Sequence, residues 1–449
     1  MITNFKDTTL PIDMINSLST LGYTRMTPIQ KNSLKALLEN RDMIAQAKTG
    51  SGKTVAFLTS SLLKIDTSSK NPQLIIILPT RELATQVANE AKNIGRYMKD
   101  LKVLTLCGGV ALTPQVKSLE KGSNIIVGTP GRLNDHISRE TIDFSDINVM
   151  VLDEADRLLD MGFYDDVIRI SNKMPNDKQT ILFSATFPAK IESLVKEVCK
   201  KPVKVSGDIL TDDSIEEFAY ESTGLDKTLI DILSYYKPES TIIFCNTKVE
   251  VDRVDEMLYK SGFDSLAFHG DFSQYERDEI FIRFSNRSIP ILVATDIASR
   301  GLDIDNVNLV VNYNLPDKPE NYTHRIGRTG RLDAKGIAIS IYRPEQIDKL
   351  NFIAPKVIKK SFSSRVKKLP IQTSLITLVI AGGKQQKVRK GDILGTLCKD
   401  LEINSSDIGT INITPKVSFV AIDIDVFMKV LKNIERIKIK GKRYKIWRL

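Results

Sequence analysis

Between residues 30 and 345 the chain alternates, twice over, between short β-rich apolar runs and helical stretches. Residues 74–78, 103–106, 125–127, 149–152 and 180–183 read as strands, and residues 55–65 and 82–97 read as helices. The pattern then restarts with strands at 241–244, 265–268, 291–294, 309–311 and 336–342. Strands that alternate with helices build parallel sheets covered on both faces, and a single sheet does not accommodate this many. The alternation therefore predicts two tandem α/β domains, residues 1–207 and 208–355, meeting near the polar stretch 207–217.

Beyond residue 355 both charge and pattern change. Residues 1–355 hold 43 Lys and Arg against 48 Asp and Glu, whereas residues 356–449 hold 21 against 7. Affinity for a polyanion through bulk charge thus belongs to the C-terminal fifth, with a merely solubilising basic surface as the alternative. Residues 356–370 carry six basic residues and no acidic one, the composition of a linker that touches phosphates. Residues 371–449 read as β-α-β-β-α-β, a small α+β domain with the layout of an RRM.

No apolar run approaches the roughly 20 residues that span a bilayer, and the N-terminus lacks the layout of a secretion signal. Cys107, Cys199, Cys245 and Cys398 are scattered without C-x-x-C spacing, which argues against a disulfide framework or a structural zinc site. The expectation is a cytoplasmic protein without membrane contact.

Chemistry enters with Gly50-Ser51-Gly52-Lys53-Thr54, which opens a helix. Its glycines let backbone N–H groups approach phosphates, Lys53 reaches the β- and γ-phosphates, and the Thr54 hydroxyl ligates Mg²⁺. Ala47 stands where the general pattern has Gly. About a hundred residues on, Asp153-Glu154-Ala155-Asp156 ends a buried apolar run. Asp153 is the natural partner of Mg²⁺ and Glu154 the general base for the attacking water. Alone, two adjacent acids would be turn residues; beside Lys53 and Thr54 they imply splitting of a nucleoside triphosphate. The run His324-Arg325-Ile326-Gly327-Arg328-Thr329-Gly330-Arg331 spaces arginines so that guanidinium groups line one tight surface, suited to charge on a γ-phosphoryl group.

Over residues 1–345 these motifs, in this order, resemble a DEAD-box RNA helicase. The resemblance implies two RecA-like domains, ATP and Mg²⁺ as cofactors, and RNA as partner. It makes Gln30 a reader of the adenine edge, Phe5 its packing surface, Thr27 a support of the phosphate loop, and Thr49, Gly50, Ser51, Gly52, Lys53 and Thr54 the ATP cradle. Met26 stands where the family usually has Pro. Asp303 would bind the ribose, and Arg328 and Arg331 match the arginine fingers. Pro79-Thr80-Arg81-Glu82-Leu83-Ala84, Gly108-Gly109 and Thr129-Pro130-Gly131-Arg132 resemble RNA-backbone contacts, which gives Thr80, Arg81, Gly109, Thr129 and Arg132 that role. Thr247, Gly270, Gln274, Arg277 and Thr295 correspond to them in the second domain. Ser184 and Thr186, in Ser184-Ala185-Thr186, and His324 would couple hydrolysis to strand separation. The implied mechanism closes the two domains on ATP and RNA, bends one strand and ejects the other; backbone and 2′-OH contacts favour RNA over DNA.

Residues 371–449 resemble the RNA-binding domain of the DbpA-type helicases through Gly382-Gly383-Lys384, residues 389–395, Ile408-Gly409-Thr410-Ile411 and residues 417–422. That group acts on a hairpin of 23S rRNA in large-subunit (pre-50S) assembly. The sheet offers Phe419 but Val417 where a second aromatic would sit, so the usual stacking platform is incomplete. Lys384, Lys387, Arg389 and Lys390, or else Lys438, Lys440, Lys442 and Arg443, are the alternative RNA surfaces. Trp447 reads as core. The expectation is a monomeric, RNA-stimulated ATPase that unwinds RNA locally; a cold-shock mRNA helicase and an ATP-gated RNA clamp without turnover are the competing readings.

Overall fold

A computed structural model describes all residues except 1–2, 48–49, 207–214, 297–306, 331–334, 363–365 and 434–436. The chain divides into two compact units, with the division at residues 212/213.

The first unit is built on a seven-stranded parallel sheet. In spatial order its strands are Val103–Leu106, Ile125–Gly128, Leu74–Ile77, Val149–Leu152, Gln179–Ser184, Met43–Gln46 and Val203–Ser206. The central strands are buried along their whole length, as continuous apolar runs between two helical layers must be. Each face carries its own core, one around Phe57, Ile76 and Phe183, the other around Ile75, Met150 and Leu182.

The second unit begins with another seven-stranded parallel sheet: Ser265–Phe268, Ile291–Thr295, Thr241–Cys245, Leu309–Asn312, Gly336–Tyr342, Ile215–Glu221 and Ile358–Lys360. Numbered along the chain within each sheet, both have the strand order 3-4-2-5-6-1-7. The second lobe repeats the topology of the first, and both are RecA-like. The seventh strand of this lobe comes from the basic segment 356–370, which is therefore partly sheet. Lys360 lies over the Phe218 ring and Phe362 stacks on Tyr220, fastening that segment to the lobe.

The remainder of this unit is a four-stranded antiparallel sheet with helices Lys390–Asp400 and Ile424–Lys432 on one face. Its strands, in spatial order, are Ile408–Ile413, Ser418–Asp423, Leu375–Ile380 and Ile446–Arg448. The β-α-β-β-α-β order predicted for an RRM is present. Ile376, Leu378, Val420 and Ile422 point into the core beneath the helices, and alternation sends Thr377, Val379, Phe419 and Ala421 to the opposite face. That opposite face is buried too, and Phe419 is only 2% exposed.

Candidate functional site

In an open parallel sheet, ligands meet the carboxyl ends of the strands. Four elements of the first lobe converge there. Strand Met43–Gln46 leads into the loop before helix Lys53–Ser61, and Val149–Leu152 delivers Asp153. Gln179–Ser184 ends at the Ser-Ala-Thr run, and the N-terminus of helix Pro28–Leu38 brings Thr27, its cap, and Gln30, in its first turn. Gly50 and Gly52 both have positive φ, at 80° and 87°. A Cβ on Gly52 would run into the Gln30 side-chain amide, so only glycine allows this approach. Gln30 spans the gap: its Nε2 donates to the Gly52 carbonyl at 2.9 Å while its Oε1 accepts from the Thr27 N–H at 2.8 Å. Phe5 is buried, and its N–H donates to the Thr24 carbonyl, which ties it to the same segment.

The Lys53 ammonium and an Asp153 carboxylate oxygen meet at 2.8 Å, both side chains almost wholly buried. Burial alone would lower the Lys53 pKa, but Asp153 and Glu154 outweigh it and hold the ammonium charged, above its ordinary value. Glu154 sits in the left-handed region at φ 54°, a conformation that side-chain-bearing residues adopt at a cost of about 1–3 kcal/mol. Its Oε2 accepts from Arg157 Nη1 at 2.6 Å. Asp156 turns the other way: its Oδ2 accepts from the Thr186 N–H at 3.0 Å and the Thr186 hydroxyl at 3.1 Å. Ser184 Oγ donates to the Thr186 carbonyl and accepts from the Asp156 N–H. The acidic tetrad and the Ser-Ala-Thr run are thus one hydrogen-bonded unit.

Along the same lobe Thr80 caps helix Arg81–Ile94 and the Arg81 guanidinium lies against Gly109, whose φ is 73°. A side chain at Gly109 would displace it. Arg132 donates to the Val110 carbonyl at 3.0 Å and to Gln115 at 2.9 Å, and Thr129 precedes helix Pro130–Ser138. Gln115 also meets the buried His136 ring at 3.1 Å. Thr80, Arg81, Gly109, Thr129 and Arg132 therefore belong to consecutive strand-to-helix turns.

In the second lobe Thr247 caps helix Lys248–Lys260 and Gly270 has open space around its α-carbon. Gln274 opens helix Gln274–Ser285 and donates to Asp278, while Arg277 lies over the Phe268 ring. Thr295 ends its strand beside Asp296. Within the arginine run, the structure turns Arg325 away from any shared surface. Arg325, 1% exposed, points inward and binds Asp296 through Nε and Nη2 at 2.6 and 2.7 Å. It also donates to Asn312, the Asn314 carbonyl and Asn246, which uses all five of its N–H groups. Arg328 is buried at 6% exposure and His324 is half-buried in helix Pro319–Ile326. Thr49, Asp303 and Arg331 lie outside the described residues.

The two basic clusters posed as alternatives in the C-terminal domain touch one another. Lys440 Nζ donates to the Lys387 carbonyl at 2.9 Å and lies 3.4 Å from Asp392. Lys384, Lys387, Arg389, Lys390, Lys438, Lys442 and Arg443 are all exposed.

Comparison with known proteins agrees with this geometry. The sequence matches the DEAD/DEAH box helicase family over residues 27–194, the helicase conserved C-terminal domain over 224–333 and the DbpA RNA binding domain over 377–448. It is 42% identical over 448 residues to the ATP-dependent RNA helicase DbpA of Escherichia coli, covering 97% of each chain. The chain belongs to the DEAD-box ATP-dependent RNA helicases. The helicase is also 35% identical to the Bacillus subtilis ATP-dependent RNA helicase DbpA, covering 99% of each chain. Among solved structures, Saccharomyces cerevisiae Dbp5 bound to RNA and ADP BeF3 superposes with a TM-score of 0.71. That match has 28% identity over 82% of this chain and 96% of the other. The helicase accordingly uses ATP and binds RNA.

Two residues went unassigned in the sequence: Asp156, which ties the tetrad to Ser184 and Thr186, and Arg325, which gathers the strand ends of the second lobe. Asp156 stands inside the tetrad, and its spacing of two from Glu154 was the available signal.

Proposed function

We propose that this helicase unwinds RNA locally on 23S rRNA during assembly of the large ribosomal subunit, its C-terminal domain binding a structured hairpin. The observation that carries this reading is the contact of the two basic clusters through Lys440 and Lys387, within residues 377–448, which match the DbpA RNA binding domain and hold 15 basic against 7 acidic residues. Lys384, Lys387 and Arg389 are its assigned contacts, and a basic, exposed surface of this kind suits phosphates better than stacked bases.

In the first lobe, Thr54 and Asp153 offer the hard oxygen donors that Mg²⁺ takes when it keeps most of its waters. The Lys53 ammonium bonded to Asp153 supports that reading, because positive charge already resides at this carboxylate. There the ion would supply charge neutralisation on the triphosphate. Lys53 would exchange Asp153 for phosphate oxygens, Phe5 and Gln30 would hold the adenine, and Thr49 to Thr54 would wrap the phosphates. Glu154 would take the proton of the attacking water, with Arg157 aiming its carboxylate. Arg328 and Arg331 would stabilise charge at the γ-phosphoryl group, and Asp303 would hold the ribose. Ser184, Thr186 and His324 would transmit hydrolysis to the RNA contacts Thr80, Arg81, Gly109, Thr129, Arg132, Thr247, Gly270, Gln274, Arg277 and Thr295. We assign the working form as a cytoplasmic monomer with domains at 1–207, 208–355 and 371–449; among the described residues no helix is long and apolar enough to cross a membrane.

The test is RNA-stimulated ATP hydrolysis at fixed salt, comparing a 23S rRNA hairpin fragment with poly(U). Half-maximal stimulation at much lower hairpin concentration is expected. Equal potency would replace the ribosomal reading with a general mRNA helicase, and no stimulation by either RNA would leave an ATP-gated clamp.

A further inference from the structure

An antiparallel sheet backed by helices on one face ordinarily leaves the other face to solvent or ligand. In the C-terminal domain that face is taken by the second lobe. Val379 and Phe419 form an apolar cluster with Ile282, near the end of helix Gln274–Ser285, and Val417, Trp447 and Leu449 pack around it. Beside it the Thr377 hydroxyl, 1% exposed, bonds the Asn286 amide at 2.9 Å and the Ser288 hydroxyl at 2.6 Å. Further along, Asp264 accepts from the Thr373 N–H at 2.8 Å, and the Thr373 hydroxyl donates to the Arg287 carbonyl at 2.9 Å. Neither core depends on this contact: Ile282 is separate from the apolar core of the lobe, and Val379 and Phe419 are separate from the core beneath the two C-terminal helices.

Helix Gln274–Ser285 therefore serves two purposes. Its first turn, fixed by the Ser273–Glu276 capping box, carries Gln274 and Arg277; its last turns meet the C-terminal sheet. Residues 274 and 282 stand roughly 12 Å apart along the axis of a continuous helix. A buried apolar cluster beside a saturated polar contact specifies one docking geometry, because any slip leaves Thr377, Asn286 and Ser288 unsatisfied.

We propose that this seam sets the distance between RNA held by the C-terminal domain and RNA held by the second lobe, with Ile282, Thr377 and Asn286 as its positioning residues. The seam deepens the ribosomal reading and rests on its assignment of RNA to both surfaces. A rigid seam makes the second contact productive only for RNAs whose spacing fits, whereas a free tether would accept many spacings at lower effective concentration.

The experiment uses the full chain and an RNA hairpin joined to a short duplex by single-stranded spacers of graded length. The parent should unwind over a narrow spacer range. Ile282→Glu and Thr377→Val should lower the peak rate at least roughly fivefold and broaden the range, with hairpin Kd and poly(U)-stimulated ATP hydrolysis unchanged; Thr377→Ser, which keeps the hydroxyl, should restore the parent profile. An identical spacer profile in parent and Ile282→Glu would overturn the proposal. Hydrogen exchange without RNA gives a second reading: helix Gln274–Ser285 and strand Leu375–Ile380 should lose protection together in Ile282→Glu. Unchanged protection of both would equally overturn the seam. A parent that shows no preference for the hairpin would refute the ribosomal assignment alone, since the exchange result stands without it.

Discussion

The two lobes have the same strand order and both place buried charge at their strand ends, yet they treat that charge in opposite ways. In the first lobe, among the described residues, Lys53 and Asp153 hold one another through one ion pair, Asp153 also accepts from the Glu154 N–H, and Glu154, in a left-handed backbone conformation, is bonded by Arg157. In the second, Arg325 is saturated by five hydrogen bonds from three strand ends and a neighbouring turn. In the proposed mechanism, the charge handed to a substrate is the one held by a lone ion pair. A charge that only joins strands is paired completely.

The sharpest way to break that contrast is Glu154→Gln. It keeps shape and a hydrogen bond to Arg157 but removes the proposed base, so RNA-stimulated turnover should fall about a hundred- to ten-thousandfold while ATP binding by equilibrium titration stays near the parent's. Normal turnover would remove Glu154 from catalysis. Arg325→Ala should act on stability instead. It takes the guanidinium away from Asp296, whose side chain is 22% exposed and so partly relieved by water, and a loss of about 3 kcal/mol is expected in urea unfolding. A much smaller loss would mean that the second lobe's charge is as dispensable as any surface pair.

Lys387→Ala and Lys440→Ala extend the contrast to solvent-exposed charge. Each should weaken hairpin binding and reduce the salt slope of log Kd by about 1, leaving stability and poly(U)-stimulated hydrolysis alone. The smallest effect concerns a group kept neutral. Burial, and then the Arg132 guanidinium, hold His136 below the ordinary histidine range. Its stabilising contribution is present above the ordinary value of about 6.5 and is lost as pH falls through the depressed one. Melting curves between neutral and mildly acid pH should therefore slope downward with acidification, and His136→Gln should flatten that slope.

The sequence was most legible where local pattern suffices. Runs such as Leu74–Ile77 and Val149–Leu152 are buried from end to end and announce themselves. Met43–Gln46 and Val203–Ser206 do not, because Gln46 ends the first on a polar residue and Lys204 and Ser206 interrupt the second with exposed ones. Lys53, Asp153 and Glu154 could be singled out from motif spacing, and the structure brings Lys53 and Asp153 into contact. The inward turn of Arg325 could not, because packing rather than spacing decides which arginine of a run enters the core. Nor could the seam: Asn286 and Thr377 touch across 91 residues, and a threonine in a strand gives no sign of what will cover it.

The strand Ile358–Lys360 also closes one edge of its sheet in a form that disfavours pairing with another chain. A parallel sheet that ended on a bare strand would offer a row of open amides to any other chain, inviting fibre-like stacking. Here the last strand is three residues long, exposed throughout, and carries Lys359 and Lys360, so another strand could add only by stripping water from ammonium groups. The segment that looked like a handle for nucleic acid thus also gives the sheet an edge unsuited to strand addition.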